Sequence, residues 1–220
     1  MNEKEQPLSE KESLELITSI INRAKESYHD TGWGPIMWGS LVSFCSLMTW
    51  AQVNWKFSIG FDIWLLVLAA IIPQVIISYR EKKSKLAKTH NDIALDYVWM
   101  SFGIALFLLI FATNTIQAGM NNTFSSEGLP YKKPSIFFYN YQVSLFLIIY
   151  GLPTFITGGI MKFTPMLVGG IFCWLCSLVC LFTPSLTDLL LMAASAIAAW
   201  LVPGIIINRN CRKKRLQRDV

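Results

Sequence analysis

Followed from the N-terminus, the hydrophobic pattern has two regimes, a short amphipathic opening and then a series of long apolar blocks. Leu14, Ile17, Ile21, Ala24 and Tyr28 recur every three or four positions, and Ser9-Glu10-Lys11-Glu12 fits a capping box, so the pattern predicts an amphipathic helix from Glu10 to Tyr28. Beyond it the blocks are long and nearly free of charge. A hydrocarbon core about 30 Å thick takes roughly 20 helical residues, and six stretches meet that length: Trp33 to Val53, Phe57 to Tyr79, Ile93 to Gln117, Ile136 to Met161, Phe163 to Phe182 and Asp188 to Asn208. The expectation is an all-α polytopic membrane helix bundle of about six transmembrane helices, preceded by a cytoplasmic amphipathic helix. It divides into a head (1–32), a six-helix membrane domain (33–208) and a basic tail (209–220).

The connections orient the bundle. Asn54 to Lys56, the basic segment Arg80 to Lys88, the loop Ala118 to Ser135, the turn at Lys162 and Thr183 to Thr187 separate the spans. With an even number of spans, 16 of the 19 lysines and arginines fall on one side, in the head, Arg80 to Lys88, Lys162 and the tail. Only Lys56, Lys132 and Lys133 fall on the other. Because basic loops stay inside, both termini are expected in the cytoplasm, with Ala118 to Ser135 as the sizeable external loop. Trp33, Trp55, Tyr79, Tyr97, Tyr139 and Tyr141 stand at expected span ends, where amphipathic rings sit at headgroup depth.

Composition sharpens this picture. The chain is 53% hydrophobic and only 15% charged, whereas a soluble domain needs about a quarter charged residues to cover its surface. The acidic, polar N-terminus lacks the basic region and apolar core of a cleaved signal peptide, so the first span is expected to serve as an uncleaved signal. A net charge of +5 does not call for nucleic acid, since the basic residues cluster beside apolar spans. The head carries seven acids against Lys4, Lys11, Arg23 and Lys25, which argues against attraction to anionic lipid as its main driver. Its apolar stripe needs a partner. The lipid bilayer is the first partner implied, and a homo-oligomer or another protein, meeting the chain through residues 10–28, is the second.

Small residues mark the packing surfaces. Gly169, Cys173, Cys176 and Cys180 in the fifth span are offset by 4, 7 and 11 residues and, at about 100° per residue, share one narrow stripe. Such a stripe lets another helix approach closely. Cys173 and Cys176 also form a CxxC, but no His, Asp or Glu in that span completes a metal site, and thiolates are disfavoured deep in an apolar helix. No cofactor or metal is implied. Pro35, Gly39, Ser43 and Ser46 of the first span repeat the spacing of Pro165, Gly169, Cys173 and Cys176, an echo that duplication or chance would both produce. Pro73, Pro153 and Pro203 each interrupt an even-numbered span and predict kinks.

Chemistry is harder to find. The chain has two histidines, His29 and His90, and shows no GxSxG, HExxH or P-loop. His90, Asp92 and Asp96 read as the solvated start of the third span, and Asp62 and Asp188 lie near span ends. Coupled carriers usually place ionisable groups near the midplane, and none stands there. Asn121-Asn122-Thr123 matches a glycosylation acceptor, a tripeptide too common to weigh.

With ITSIINRAKESYHDTGWGPIMWGS and YGLPTFITGGIMKFTPMLVGGI both in view, the chain resembles a family of small bacterial multi-pass integral membrane proteins with a short helical cytoplasmic head and about six spans. The resemblance implies a bacterial inner-membrane location and no assigned activity. It carries over no catalytic or binding residue. The function expected is that of a non-enzymatic membrane partner or regulatory component, with a small permease or channel-like transporter for an unidentified solute as the alternative.

Overall fold

The computed structural model describes residues 32–84, 90–126 and 135–218. The expected head helix over residues 10–28 lies outside them. The described residues form eight α-helices with no strand: α1 Trp33–Trp55, α2 Leu65–Ala69, α3 Ile71–Ser84, α4 His90–Ser126, α5 Ser135–Ile160, α6 Thr164–Cys180, α7 Ser185–Ala196 and α8 Val202–Arg218, with a five-residue π turn, Ile197–Leu201, joining α7 to α8. Four stretches are long and apolar enough to cross a membrane: α1, His90–Ile116 of α4, Tyr141–Ile160 of α5, and Ser185–Lys213 running through α7, the π turn and α8. Helix α6 is apolar but has 17 residues, about 25 Å at 1.5 Å per residue.

The second expected span is not one continuous helix from Phe57 to Tyr79. After α1 stops at Lys56, held in the left-handed region (φ 54), the chain is irregular to Asp62 and restarts there. The Asp62 carboxylate accepts the Trp64 amide at 3.0 Å, and the Leu65, Leu66 and Val67 amides bond to the carbonyls three residues before them. A second interruption, at Ala70, has a cause four residues on. Pro73 has no N–H for the Ala69 carbonyl, and its ring crowds that carbonyl, so the turn between α2 and α3 tightens at Ala70 (φ −71, ψ −12). The loop expected from Ala118 is likewise helical as far as Ser126, because the single Gly119 costs a helix only about 1 kcal/mol and the first strong stop is Gly128-Leu129-Pro130.

Helices α5 and α6 form the tightest pair. Helix α5 ends in a Schellman motif, with Phe163 N–H bonded to Gly158 O at 2.8 Å and Lys162 N–H to Gly159 O at 3.2 Å. Its left-handed position is filled by Lys162 (φ 51) instead of the usual glycine. Pro165 then opens α6 in its first turn, where a missing N–H costs nothing. Along the pair each large side chain faces a glycine across the seam: Trp174 covers Gly151, Phe155 covers Gly170, and Leu167 lies against Gly158, at distances that leave no room for a Cβ. Ser144 and Ser177 close the seam at its far end. Their hydroxyls lie 2.9 Å apart, and each meets the other's backbone carbonyl at 3.0 Å.

The remaining helices assemble on this pair. Helix α1 runs antiparallel to α7 and α8, α4 leans on α5, and among the described residues α2 and α3 touch only α1 besides each other. The core lies where α1, α5, α6, α7 and the π turn meet, with Leu147, Met166, Cys45 and Cys173 wholly enclosed. Trp33, Trp55, Tyr79, Tyr97 and Tyr141 are all exposed.

Candidate functional site

The π turn is the point on which most elements converge, and single π turns inside α-helices occur frequently at functional sites. It opens one step before Pro203, with Val202 N–H reaching back five residues to Ile197 O. Pro203 removes the bond that Ala199 O would otherwise accept. On one side Gly39 of α1 lies so close to Leu201 that a Cβ would stand 2.5 Å from its backbone nitrogen. On the other, a Cβ on Gly169 of α6 would stand 2.6 Å from Ala199 Cα. The two glycines that echo each other in sequence therefore clasp the same turn from opposite sides.

Trp200 projects from this turn and is 3% exposed. Its indole N–H donates to Thr154 Oγ1 at 2.8 Å, and the same hydroxyl donates to Tyr150 O at 2.8 Å. One threonine thus satisfies a buried donor and keeps its own proton bonded, as a dry site requires. The Trp200 ring lies 4.8 Å from Tyr150, 6.1 Å from Phe102 and 6.5 Å from Trp99, and Phe102 lies 5.9 Å from Tyr150. These tilted and edge-on pairs each contribute about 0.5–1.5 kcal/mol beyond buried area. They are also the means by which α4, otherwise attached through α5, reaches the core.

The other residues singled out in the sequence fall around this junction. Ser43 Oγ donates to Gly39 O at 2.6 Å and lies 3.2 Å from Ala193 O, tying α1 to α7. Ser46 is fully buried. Cys173, Cys176 and Cys180 are buried free thiols on the inner face of α6. Pro153 sits inside an unbroken α5, where its missing N–H leaves Ile149 O without its helical donor. Gln74, one residue after Pro73, accepts the Trp38 indole N–H at 2.9 Å and donates to Ser78 Oγ at 3.1 Å, which fastens α3 to α1.

Two carboxyls are buried. Asp188 stands in the first turn of α7, near a span end as expected, and is wholly enclosed. One of its oxygens accepts Thr183 Oγ1–H, and the other has no hydrogen-bond partner. Asp92 is buried, while His90 and Asp96 are exposed, so the start of the third span is not uniformly solvated. Asp92 shares the inward face of α4 with Trp99 and Phe102, a placement visible only once the helix has a neighbour. Besides Asp188, the hydroxyls of Ser46, Thr157 and Ser195 are buried without partners. Among the described residues no three His, Cys, Asp or Glu side chains gather as a metal-binding group.

Sequence reasoning passed over Trp200, Thr154 and the π turn itself. The available signal was the run Ala198-Ala199-Trp200-Leu201 just ahead of Pro203, a large ring flanked by small residues at the one place where a proline disturbs the last span. No family model, curated protein or solved structure matches this chain.

Proposed function

We propose that the chain is a six-span membrane protein of the bacterial inner membrane, with both termini in the cytoplasm, acting as a non-enzymatic membrane partner or regulatory component. The second span is α2 with α3, which lies antiparallel along α1 between the Thr49–Trp64 bond at 3.1 Å and the Trp38–Gln74 bond. Its Leu65, Leu68, Ile72 and Val75 are exposed, as lipid-facing residues would be. The fifth is α6, lengthened by Phe163, Leu181 and Phe182. The lysine and arginine asymmetry supports the orientation.

The observation that carries the partner reading is the filled junction at Trp200. Where a carrier would keep a polar passage between helices, this bundle places an indole, a phenol ring and backbone-to-backbone glycine contacts. Among the described residues two hollows, of about 390 and 420 Å³, open to the outside of the bundle. One lies between α5 and α6 beside Ser144 and Trp174, the other on α4 beside Phe107 and Asn114. The rival reading, a small permease or channel-like carrier, draws on the four polar atoms that are buried without partners among the described residues, which would suit a solute passing in another state.

Two measurements separate the readings. Proteoliposomes loaded with a panel of ions and small polar solutes should leak no faster than protein-free vesicles, and saturable flux of any solute would overturn the partner reading. Deleting residues 1–30 should change the oligomeric state or the set of co-purifying proteins, and an unchanged result on both counts would remove the role given to the head.

A further inference from the structure

Two contacts fix the register of α6 against α7 and the π turn. A Cβ on Gly169 would meet Ala199 Cα, and the Cys180 thiol lies beside the Asp188 carboxyl. The two pairs are eleven residues apart on both strands of this antiparallel seam, so the same register sets Cys176 against Met192 and Cys173 against Ser195. The seam is closed, with Cys173, Cys176, Cys180, Asp188, Met192 and Ser195 at most 5% exposed. Yet Asp188 Oδ2 and Ser195 Oγ have no hydrogen-bond partner. Enclosed polar atoms are rarely left bare.

The carboxyl also lacks a counter-charge. The elements packed on α7 are α1, α5, α6 and the π turn. Helix α6 contributes the thiols of Cys173, Cys176 and Cys180, α1 that of Cys45, and α5 only tyrosine phenols; none of the four elements contains a lysine, arginine or histidine. Lys56 and Asp62, beyond the end of α1, are exposed. An ionised Asp188 would therefore be an uncompensated charge inside the bundle, a strongly unfavourable arrangement. Thr183 Oγ1 is within bonding distance of Asp188 Oδ1 and also stands 3.1 Å from Val179 O, but a hydroxyl has one proton for two contacts. A proton bound to the carboxyl supplies the second, because the acid then donates to Thr183 and Thr183 donates to Val179 O.

We propose that Asp188 is a proton-binding site, occupied while the seam between α6 and α7 is closed, and that release of its proton opens that seam. The charge left behind draws water in from the turn at Thr183, past Asp188 and on toward Ser195, the two positions in the seam with hydrogen-bonding capacity to spare. In the orientation given above this turn is external, so the regulatory component responds to acidity outside the inner membrane. The site rests on the membrane reading, and the experiment distinguishes failure of one from failure of the other.

The full-length protein in phospholipid vesicles is treated with dicyclohexylcarbodiimide, which attacks protonated carboxyls in apolar surroundings, and the modified residues are located by mass spectrometry. Asp188 should be labelled and the exposed Asp62 and Asp96 should not. Labelling should fall about tenfold per pH unit once the proton begins to leave, and sodium at fixed pH should give no protection. No label on Asp188, labelling that ignores pH, or protection by sodium, which would assign the site to a metal cation, would each overturn the proposal without recourse to a variant. Opening is read from the rate at which N-ethylmaleimide alkylates Cys180, divided by the rate in Asp188→Asn, whose amide imitates the neutral acid. This ratio cancels the thiol's own response to pH and should rise by up to about tenfold per pH unit; a flat ratio would overturn the switch. The vesicles are finally extracted with alkaline carbonate. Protein that stays with them but shows no pH-dependent label overturns the site alone, and protein that is released overturns the membrane reading and the site with it.

Discussion

Replacing Thr154 by valine tests the central junction with the least disturbance of shape. Valine keeps the branched volume and removes only the hydroxyl that accepts the Trp200 indole N–H and donates to Tyr150 O, both at 2.8 Å. Tyr150 O retains its place in the helix ladder, so its loss is small. The indole N–H is left with no acceptor in a residue 3% exposed. In soluble proteins an orphaned buried donor costs about 1–3 kcal/mol, whereas side-chain hydrogen bonds measured within a bilayer average about 0.6 and reach about 1.7 kcal/mol. Because Trp200 is boxed in by Tyr150 and Phe102 and cannot swing to water, the cost should fall where the ranges overlap, near 1 kcal/mol. Reversible unfolding in mixed micelles, followed by far-UV circular dichroism, gives the value. Trp200→Phe and the double variant complete a cycle whose coupling should be of the same size, with Thr154→Ser retaining the bond as a control. A Thr154→Val protein as stable as the parent, with coupling near zero, would refute the claim that this hydrogen bond organises the junction.

Other substitutions probe the remaining contacts. Gly39→Ala should lower stability by about 1–3 kcal/mol, because its Cβ would meet the Leu201 backbone. Gly103→Ala and Gly159→Ala, where nothing lies within 4 Å, should raise it by up to about 1 kcal/mol; thermal unfolding in one detergent compares all three, and equal effects would refute the close approach. Lys162→Gly relieves a left-handed residue in the α5 to α6 turn and should stabilise the protein by about 1 kcal/mol, measured the same way. Of the five thiols, Cys45, Cys173, Cys176 and Cys180 are buried and Cys211 is half-buried, so a membrane-impermeant maleimide should label about one thiol per folded chain. In sealed cells it should label that one only after the inner membrane is opened, and labelling of intact spheroplasts would reverse the proposed orientation.

Much of the architecture was legible because it depends on length and composition. The apolar runs within Trp33–Trp55 and Ser185–Lys213 are long and apolar enough to cross a membrane as helices. The turn at Lys162 was readable from Gly158-Gly159 before it and Pro165 after it. What could not be read is which way a uniformly apolar helix faces. Helix α4 has apolar residues on every side, and only the neighbouring Tyr150 and Trp200 distinguish the face of Trp99 and Phe102 from the face of Met100, Ile104 and Phe107. The burial of Asp188 was not legible for a related reason. Distance from a span end measures depth in the membrane, and burial by other helices is independent of depth. The interrupted stretch from Phe57 to Tyr79, expected as one span, shows the opposite limit, where a recognised proline gave the place of the disturbance but not the shortening of helix before it.

The extra residue in the turn before Pro203 also sets the angle between the two halves of the last span. On a straight α-helix Asp188, Met192, Ser195, Ala196, Ala199 and Trp200 would share one side, and Pro203, Gly204, Ile207 and Asn208 would share a side about 100° further round. That offset is the rotation of a single residue, which is what a π turn absorbs. The upper half can therefore turn its stripe toward α6 while the lower half still presents Gly204 to Ile36 and Gly32. Deleting one residue between Ile197 and Leu201 would restore regular winding and rotate the whole basic tail away from α1, so a span that kept its length and hydrophobicity would no longer fit its neighbours.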